Sequence, residues 1–488
     1  MRILMATNTY PSHLNGQAIF VGSLAEGLAS IGHKVSVLVP GIDRVENEEQ
    51  NGVNIFSTPA IDLRFIHKEF FIAWRYEKMV QKVFDEQKPE IVHLQDPAPL
   101  SKAVMEEARK RNIPVICTHH TGPAVWAPYL SEKFHFLLKI AVPMIWDWVI
   151  RFLNQADMVT VPSMASVRML NQRGLKVPVT AISCGVELDQ FKSVLPEEIR
   201  KIKKRFKFDR RKKHFLYVGR IDEEKRVDVL LQGMAKSTNP DVELILAGGG
   251  AAEESMHNLS RMLKISRKIR FLGKVRRSEI PALYAACDVF VMPGDVESLS
   301  IATLEAMSCG KPVIAANAMA LPELVTVGKN GLLFKPRNYV DLGQKIDQLY
   351  TMKNSWPEMG ANSLEKVQEH DLKLTIKKYQ NLYRQMIDRR YSKTKALVPM
   401  RLPKMLSHPY SLLFVQFIAA CMVVLLSLFT HQHATLNLLS THMKGLSSNI
   451  FQNLQTFYSS LQEFEIPATQ AIGLFSIFSE LKNVIILI

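Results

Sequence analysis

Short runs of aliphatic and β-branched residues alternate with amphipathic stretches along most of this chain, and that alternation restricts the fold more than any other feature. Residues 2–6 read as a strand, 18–30 as a helix stopped by Gly32, and 34–39 as the next strand. The cycle recurs at 91–94, 102–111 and 115–118, and again at 158–161. A second series begins after residue 212, with strands at 215–218, 242–246, 269–272, 289–292 and 313–315 and a helix at 227–235. Strands separated by helical patterns need crossover connections, and hence parallel sheets built from βαβ units. Two such series imply an α/β fold with two Rossmann-like domains facing a cleft, assigned to residues 1–190 and 191–385. In open parallel sheets, ligands collect beyond the carboxyl ends of the strands, which is where chemistry is expected.

At 488 residues, with 47% hydrophobic and 22% charged side chains, wholesale disorder and fibrous classes are excluded. Lys+Arg is 61 against Asp+Glu 46, a net +15 with pI near 9.4 that suits an anionic partner. Cys117, Cys184, Cys287, Cys309 and Cys421 are scattered with no Cys-x-x-Cys pair, so neither a disulfide framework nor a zinc site is expected. A reducing compartment follows. The opening Met1-Arg2-Ile3-Leu4-Met5-Ala6-Thr7 turns polar too soon for a secretory signal, and none is expected.

Two segments carry charge or its absence as information. Residues 201–213 hold nine basic residues, which fits a solvated helix and loop at the domain junction or a docking patch for anionic lipid headgroups. No base-reading motif accompanies them, so no nucleic acid partner is expected. Residues 410–429 contain no charge and as a helix would span about 30 Å, enough for a transmembrane segment. Arg389, Arg390, Lys393, Lys395, Arg401 and Lys404 crowd the linker at 386–409, against the single acid Asp388. The positive-inside tendency then sets the folded body on the cytoplasmic side of the cell membrane, with 430–488 as a tail.

The most informative stretch runs from Glu297 to Pro312 and holds a second glutamate, Glu305, eight positions on. Ser298 or Ser300 can cap a helix that Gly310 and Pro312 end, and its free N–H groups would face the cleft as a phosphate-binding device. The stretch resembles the Glu-x7-Glu signature of the retaining family-four glycosyltransferases, which have the two-Rossmann GT-B fold. The similarity covers roughly residues 1–385 and includes Gly219-Arg220-Ile221-Asp222-Glu223-Glu224-Lys225, like that family's Gly-Arg-x5-Lys-type phosphate clamp. Cys184-Gly185-Val186-Glu187 with Phe191, Leu321-Pro322-Glu323-Leu324, and Asn330-Gly331-Leu332-Leu333 match further landmarks in order.

The resemblance implies roles residue by residue. Arg220 and Lys225 would neutralise a departing diphosphate. Glu305 would hold the ribose hydroxyls, and Glu297 would contact the donor hexose, with Ser298, Leu299 and Ser300 lining the donor. Gly16 would admit the donor phosphate to the first loop. In Thr118-His119-His120-Thr121, His120 corresponds to the family's cleft histidine, with His119 the alternative and Asp96 a lesser candidate. Three departures stand out: Asn15 at the first of two paired glycines, Arg226 where glycine is common, and Gly248-Gly249-Gly250 without an acidic middle residue.

The implied activity is metal-independent, retaining transfer of a hexose from a nucleotide-diphosphate sugar, with no cofactor. No Asp-x-Asp pair offers a metal grip, no Gly-x-x-x-x-Gly-Lys-Ser/Thr loop is present, and Glu253 stands where a dinucleotide fingerprint needs glycine. Aromatic and basic residues mingle at 64–82 and 134–153, as an interfacial helix or a core helix would require. Together with 410–429 they favour a membrane lipid acceptor of the diacylglycerol or phosphatidylinositol type at an anionic bilayer surface. The alternatives are a nucleotide-sugar epimerase and a membrane-tethered sugar-nucleotide-binding protein without turnover.

Overall fold

The computed structural model describes residues 1–10, 16–41, 47–62, 71–120, 122 and 135–393. The expected transmembrane segment 410–429, the tail after it and Asn15 lie outside the described residues. Among the described residues, no helix is long and apolar enough to cross a membrane.

The first sheet contains β1 (Arg2–Ala6), β2 (Lys34–Gly41), β3 (Asn47–Gln50), β4 (Val53–Asp62), β5 (Phe71–Ala73), β6 (Ile91–Leu94), β7 (Val115–Thr118), β8 (Met158–Val161) and β9 (Val179–Ala181). Its order is β3-β4-β2-β1-β6-β7-β8-β9, with β5 added to β4. Pairing is parallel except for β3 on β4 and β5 on β4. The second sheet, β10 (Lys213–Val218), β11 (Val242–Ala247), β12 (Ile269–Gly273), β13 (Val289–Met292), β14 (Val313–Ala316) and β15 (Gly331–Phe334), is ordered β12-β11-β10-β13-β14-β15 and is parallel throughout.

The alternation of side chains along a strand explains the layering. In β1, Leu4 and Ala6 join one buried cluster and Ile3 and Met5 the other, so both faces of the first sheet are covered. Strands buried on both faces read as continuous aliphatic runs, as Val289-Phe290-Val291-Met292 does. The order reverses between β1 and β6 in the first sheet and between β10 and β13 in the second. The loops after those four strands therefore border the two crevices where ligands can enter.

Residues 372–393 do not stay with the second sheet. The helix Leu372–Lys393 begins beside a bridge between Val186 and Asp371, then buries Tyr379, Leu382, Tyr383, Met386 and Ile387 against the first sheet. A buried polar seam fixes it there: Tyr383 Oη lies 2.7 Å from His93 Nδ1, and His93 Nε2 lies 2.6 Å from Thr118 Oγ1. Thr160 and Tyr379 complete the seam at 2.6–3.3 Å.

Candidate active site

In the second domain, the loop after β10 is shaped by close backbone approaches. A Cβ on Gly248, whose φ is +145°, would lie 1.8 Å from the Gly219 carbonyl oxygen, so only glycine admits the contact. The neighbouring glycines brace the same loop: Ile221 N donates to Gly249 O at 3.1 Å, and Ala251 N donates to Asp222 Oδ1 at 2.8 Å. Arg220 leaves this loop with its guanidinium paired to Asp222 and to the buried Glu224. One turn on, Lys225 Nζ donates to Glu297 Oε1 at 2.7 Å. Arg226 follows at φ +55°, left-handed backbone that costs an ordinary residue about 1–2 kcal/mol, and its side chain lies 3.5 Å from Asp295.

Glu297 comes from the loop after β13, so the clamp cation and the first glutamate meet across the β10–β13 reversal. Ser300 caps the helix Ile301–Ser308 by accepting from Thr303 N at 3.3 Å, and Gly310 closes the helix at φ +63°. Of the two candidate caps, Ser300 is the one used. Ser298 is buried beside it, and Leu299 packs against the cores of both domains.

Glu305 lies inside that helix, 2% exposed, and has partners that its sequence neighbours conceal. Tyr284 Oη donates to its Oε2 at 3.0 Å, and the Arg277 guanidinium stands 2.5 Å from its Oε1. Arg277 also lies 5.9 Å above the ring of Phe191. Neither Tyr284 nor Arg277 was expected at the site. Both come from the 277–286 segment, where a 3-10 turn at Arg277–Glu279 leads into the buried helix Ile280–Ala286.

The first domain supplies the opposite wall. Gly16 opens the helix Gly16–Ser30, and a Cβ there would lie 3.8 Å from Ile301 Cδ1, which sets the start of that helix against the start of the Glu305 helix. Asp96, after β6, accepts from Asn8 N at 2.6 Å, Gln17 Nε2 at 3.1 Å, Ala98 N at 3.1 Å and Ser101 Oγ at 3.1 Å. Burial pushes its carboxyl upward in pKa, opposed by those hydrogen bonds. Its bonds tie two loops together, which is a bracing geometry.

The histidine pair splits to opposite sides. His120 packs 5.2 Å from the ring of Phe20, and its Nε2 lies 3.0 Å from Gln95 Oε1. His119 turns toward Trp146 at 5.7 Å. Burial pushes His120 down to about 3 and His119 to about 4, so both rings are neutral at physiological pH. His120 thus shares the Gly16–Ser30 side, and His119 belongs to the other core layer. The structure brings Arg220, Lys225, Glu297, Ser298, Ser300 and Gly16 around the reversals and sets Glu305 one helical stretch deeper.

Comparison with known proteins places this arrangement in a family. Residues 14–190 match the model for Glycosyltransferase Family 4, and residues 198–366 match that for Glycosyl transferases group 1. The chain belongs to the family-four glycosyltransferases, with the two-domain GT-B fold. It is 29% identical over 300 residues to sulfoquinovosyl transferase SQD2 of Arabidopsis thaliana, covering 60% of this chain and 56% of that protein. It is 27% identical to the alpha-monoglucosyldiacylglycerol synthase of Streptococcus pneumoniae, covering 68% of this chain and 75% of that one. The Anabaena HepE structure in complex with UDP superposes with TM-score 0.62 at 19% identity, covering 79% of this chain and 100% of that one.

Proposed function

We propose that this glycosyltransferase moves a hexose from a nucleotide-diphosphate sugar to a membrane lipid of the diacylglycerol or phosphatidylinositol type, with retention of anomeric configuration. The observation that carries the reading is the convergence of Arg220, Lys225, Glu297 and the capped start of Ile301–Ser308 at one strand-order reversal. Cleavage of the donor bond builds negative charge on the diphosphate. An ammonium has three donors, so Lys225 can hold Glu297 with one and offer others to phosphate oxygens. The open amides at the helix start add partial positive charge. Groups fixed where charge develops lower the barrier.

In this reading Glu305 accepts from the ribose hydroxyls and Glu297 from the hexose, while His120, whose single ring proton goes to Gln95 Oε1, serves the donor sugar through its backbone N–H. The acceptor hydroxyl attacks from the face that the diphosphate leaves, without a covalent enzyme intermediate. The lipid acceptor is supported by the similarity to an alpha-monoglucosyldiacylglycerol synthase and by the uncharged segment 410–429 with its basic flank. Trp74 and Trp148 are 47% and 46% exposed, as a bilayer-facing surface requires. Lys203, Lys204, Lys207 and Arg210 add exposed positive charge suited to an anionic bilayer on the cytoplasmic side.

Membranes carrying the chain, incubated with a panel of labelled nucleotide sugars, should yield label in the extracted lipid. An α-linked donor should give an α-linked glycolipid by proton coupling in NMR. A β-linked product would rule out retention. Label confined to free or isomerised sugar would rule out the lipid acceptor and support an epimerase.

A further inference from the structure

A carboxylate of the second domain closes the start of a helix in the first. Glu323 lies in the short helix Leu321–Leu324 after β14. Its Oε2 accepts from Met164 N at 3.0 Å and its Oε1 from Ala165 N at 2.6 Å. Those residues open the helix Met164–Gln172, whose third amide, on Ser166, is held from within by Ser163 Oγ at 3.3 Å. The first amides of a helix carry partial positive charge and need acceptors. Here the domains divide the task. Arg168 adds an ion pair to Glu323 at 3.2 Å, but its side chain is 62% exposed, and such pairs contribute little.

The contact is joined to the donor side through the backbone. Glu323 N donates to Ala320 O at 2.9 Å, Ala320 N donates to Glu297 O at 3.2 Å, and Glu297 holds Lys225. We propose that Glu323 is a positioning residue: it clasps the two domains across the cleft and so sets Glu297 and Lys225 against the first domain. The proposal rests on the donor reading of those two residues. When the domains part, water can satisfy both the carboxylate and the amides, so the clasp gains little per bond and can open and close during turnover.

The test uses the full chain in detergent, with spin labels at Lys176→Cys and Gln344→Cys, one on each domain. Glu323→Ala should broaden the interlabel distance distribution toward longer values. It should lower kcat about tenfold, the scale of a lost helix cap. Binding of uridine or guanosine diphosphate should stay within twofold, because Arg220, Lys225 and Glu305, the charged groups assigned to it, all lie in the second domain. Glu323→Gln, which keeps one acceptor, should fall between, and Arg168→Ala should cost less than Glu323→Ala. Unchanged distances in Glu323→Ala would overturn the clasp, as would equal losses in kcat and diphosphate binding. If the unmutated chain neither binds a nucleoside diphosphate nor transfers sugar, the donor reading fails instead, while the distance measurement still judges the clasp.

Discussion

At the scale of the residue, the two glutamates are separated by their partners rather than by their spacing. Glu297 shares an oxygen with Lys225, so its negative charge partly offsets the field that a diphosphate would meet there. Glu305 faces Tyr284 and Arg277, deeper in the fold. Replacing Glu297 with Gln removes a charge that repels phosphate, so nucleoside diphosphate should bind as well as before or more tightly while turnover falls. Glu305→Gln should weaken that binding, and less so for a 2′,3′-dideoxy nucleoside diphosphate, which lacks the diol. Calorimetric titration of both variants checks this, and equal losses would defeat the division of roles. The spacing of the pair and the Arg220–Lys225 loop were legible in the sequence. The partners of Glu305 were not, because a tyrosine and an arginine 21 and 28 positions away leave no local pattern.

At the scale of the element, aliphatic runs decided legibility. Five of the six strands of the second sheet, all but β15, were readable because buried parallel strands run aliphatic. Strand β3, Asn47-Glu48-Glu49-Gln50, is exposed at every position and has no hydrophobic residue to announce it. The helix Leu372–Lys393 was a different problem. Its amphipathic pattern marks a buried face but cannot say which sheet covers it, and the chain continuity that ended the second domain at 385 points to the wrong neighbour. The deciding groups are polar: Tyr383 and Tyr379 meet His93, Thr118 and Thr160 in a seam closed to water. Tyr383→Phe would leave His93 Nδ1 without its partner, a loss of about 1–3 kcal/mol. Thr375→Val, at the start of the same helix, would remove the bond to the Ser183 carbonyl and should cost about the same or less. Chemical denaturation would measure both, and a Tyr383→Phe chain as stable as the parent would mean the seam does not secure the helix.

At the scale of the whole molecule, buried histidines make stability depend on pH in a definite direction. Burial pushes His93 and His120 down to about 3 and His119 to about 4, from an ordinary 6.5. The first two are also lowered by a neighbouring histidine. In the unfolded chain these rings take up protons as pH falls through 6.5, while in the fold they stay neutral until near pH 4 or below. Between those limits the unfolded state binds more protons, so stability rises with pH and is complete above about 7. Each such ring contributes about 1.4 kcal/mol per pH unit across that window. The urea midpoint should therefore hold steady from pH 8 to 7 and drop steeply from pH 6.5 to 5. Carboxylates do not mimic the onset, since their ordinary range lies lower. His93→Gln, which keeps an amide for the Tyr383 and Thr118 hydroxyls, should lower the midpoint at pH 7.5 yet flatten its fall on acidification. If the His93→Gln midpoint falls from pH 7.5 to 5.5 as steeply as the parent's, the seam histidine is not a source of the acid sensitivity.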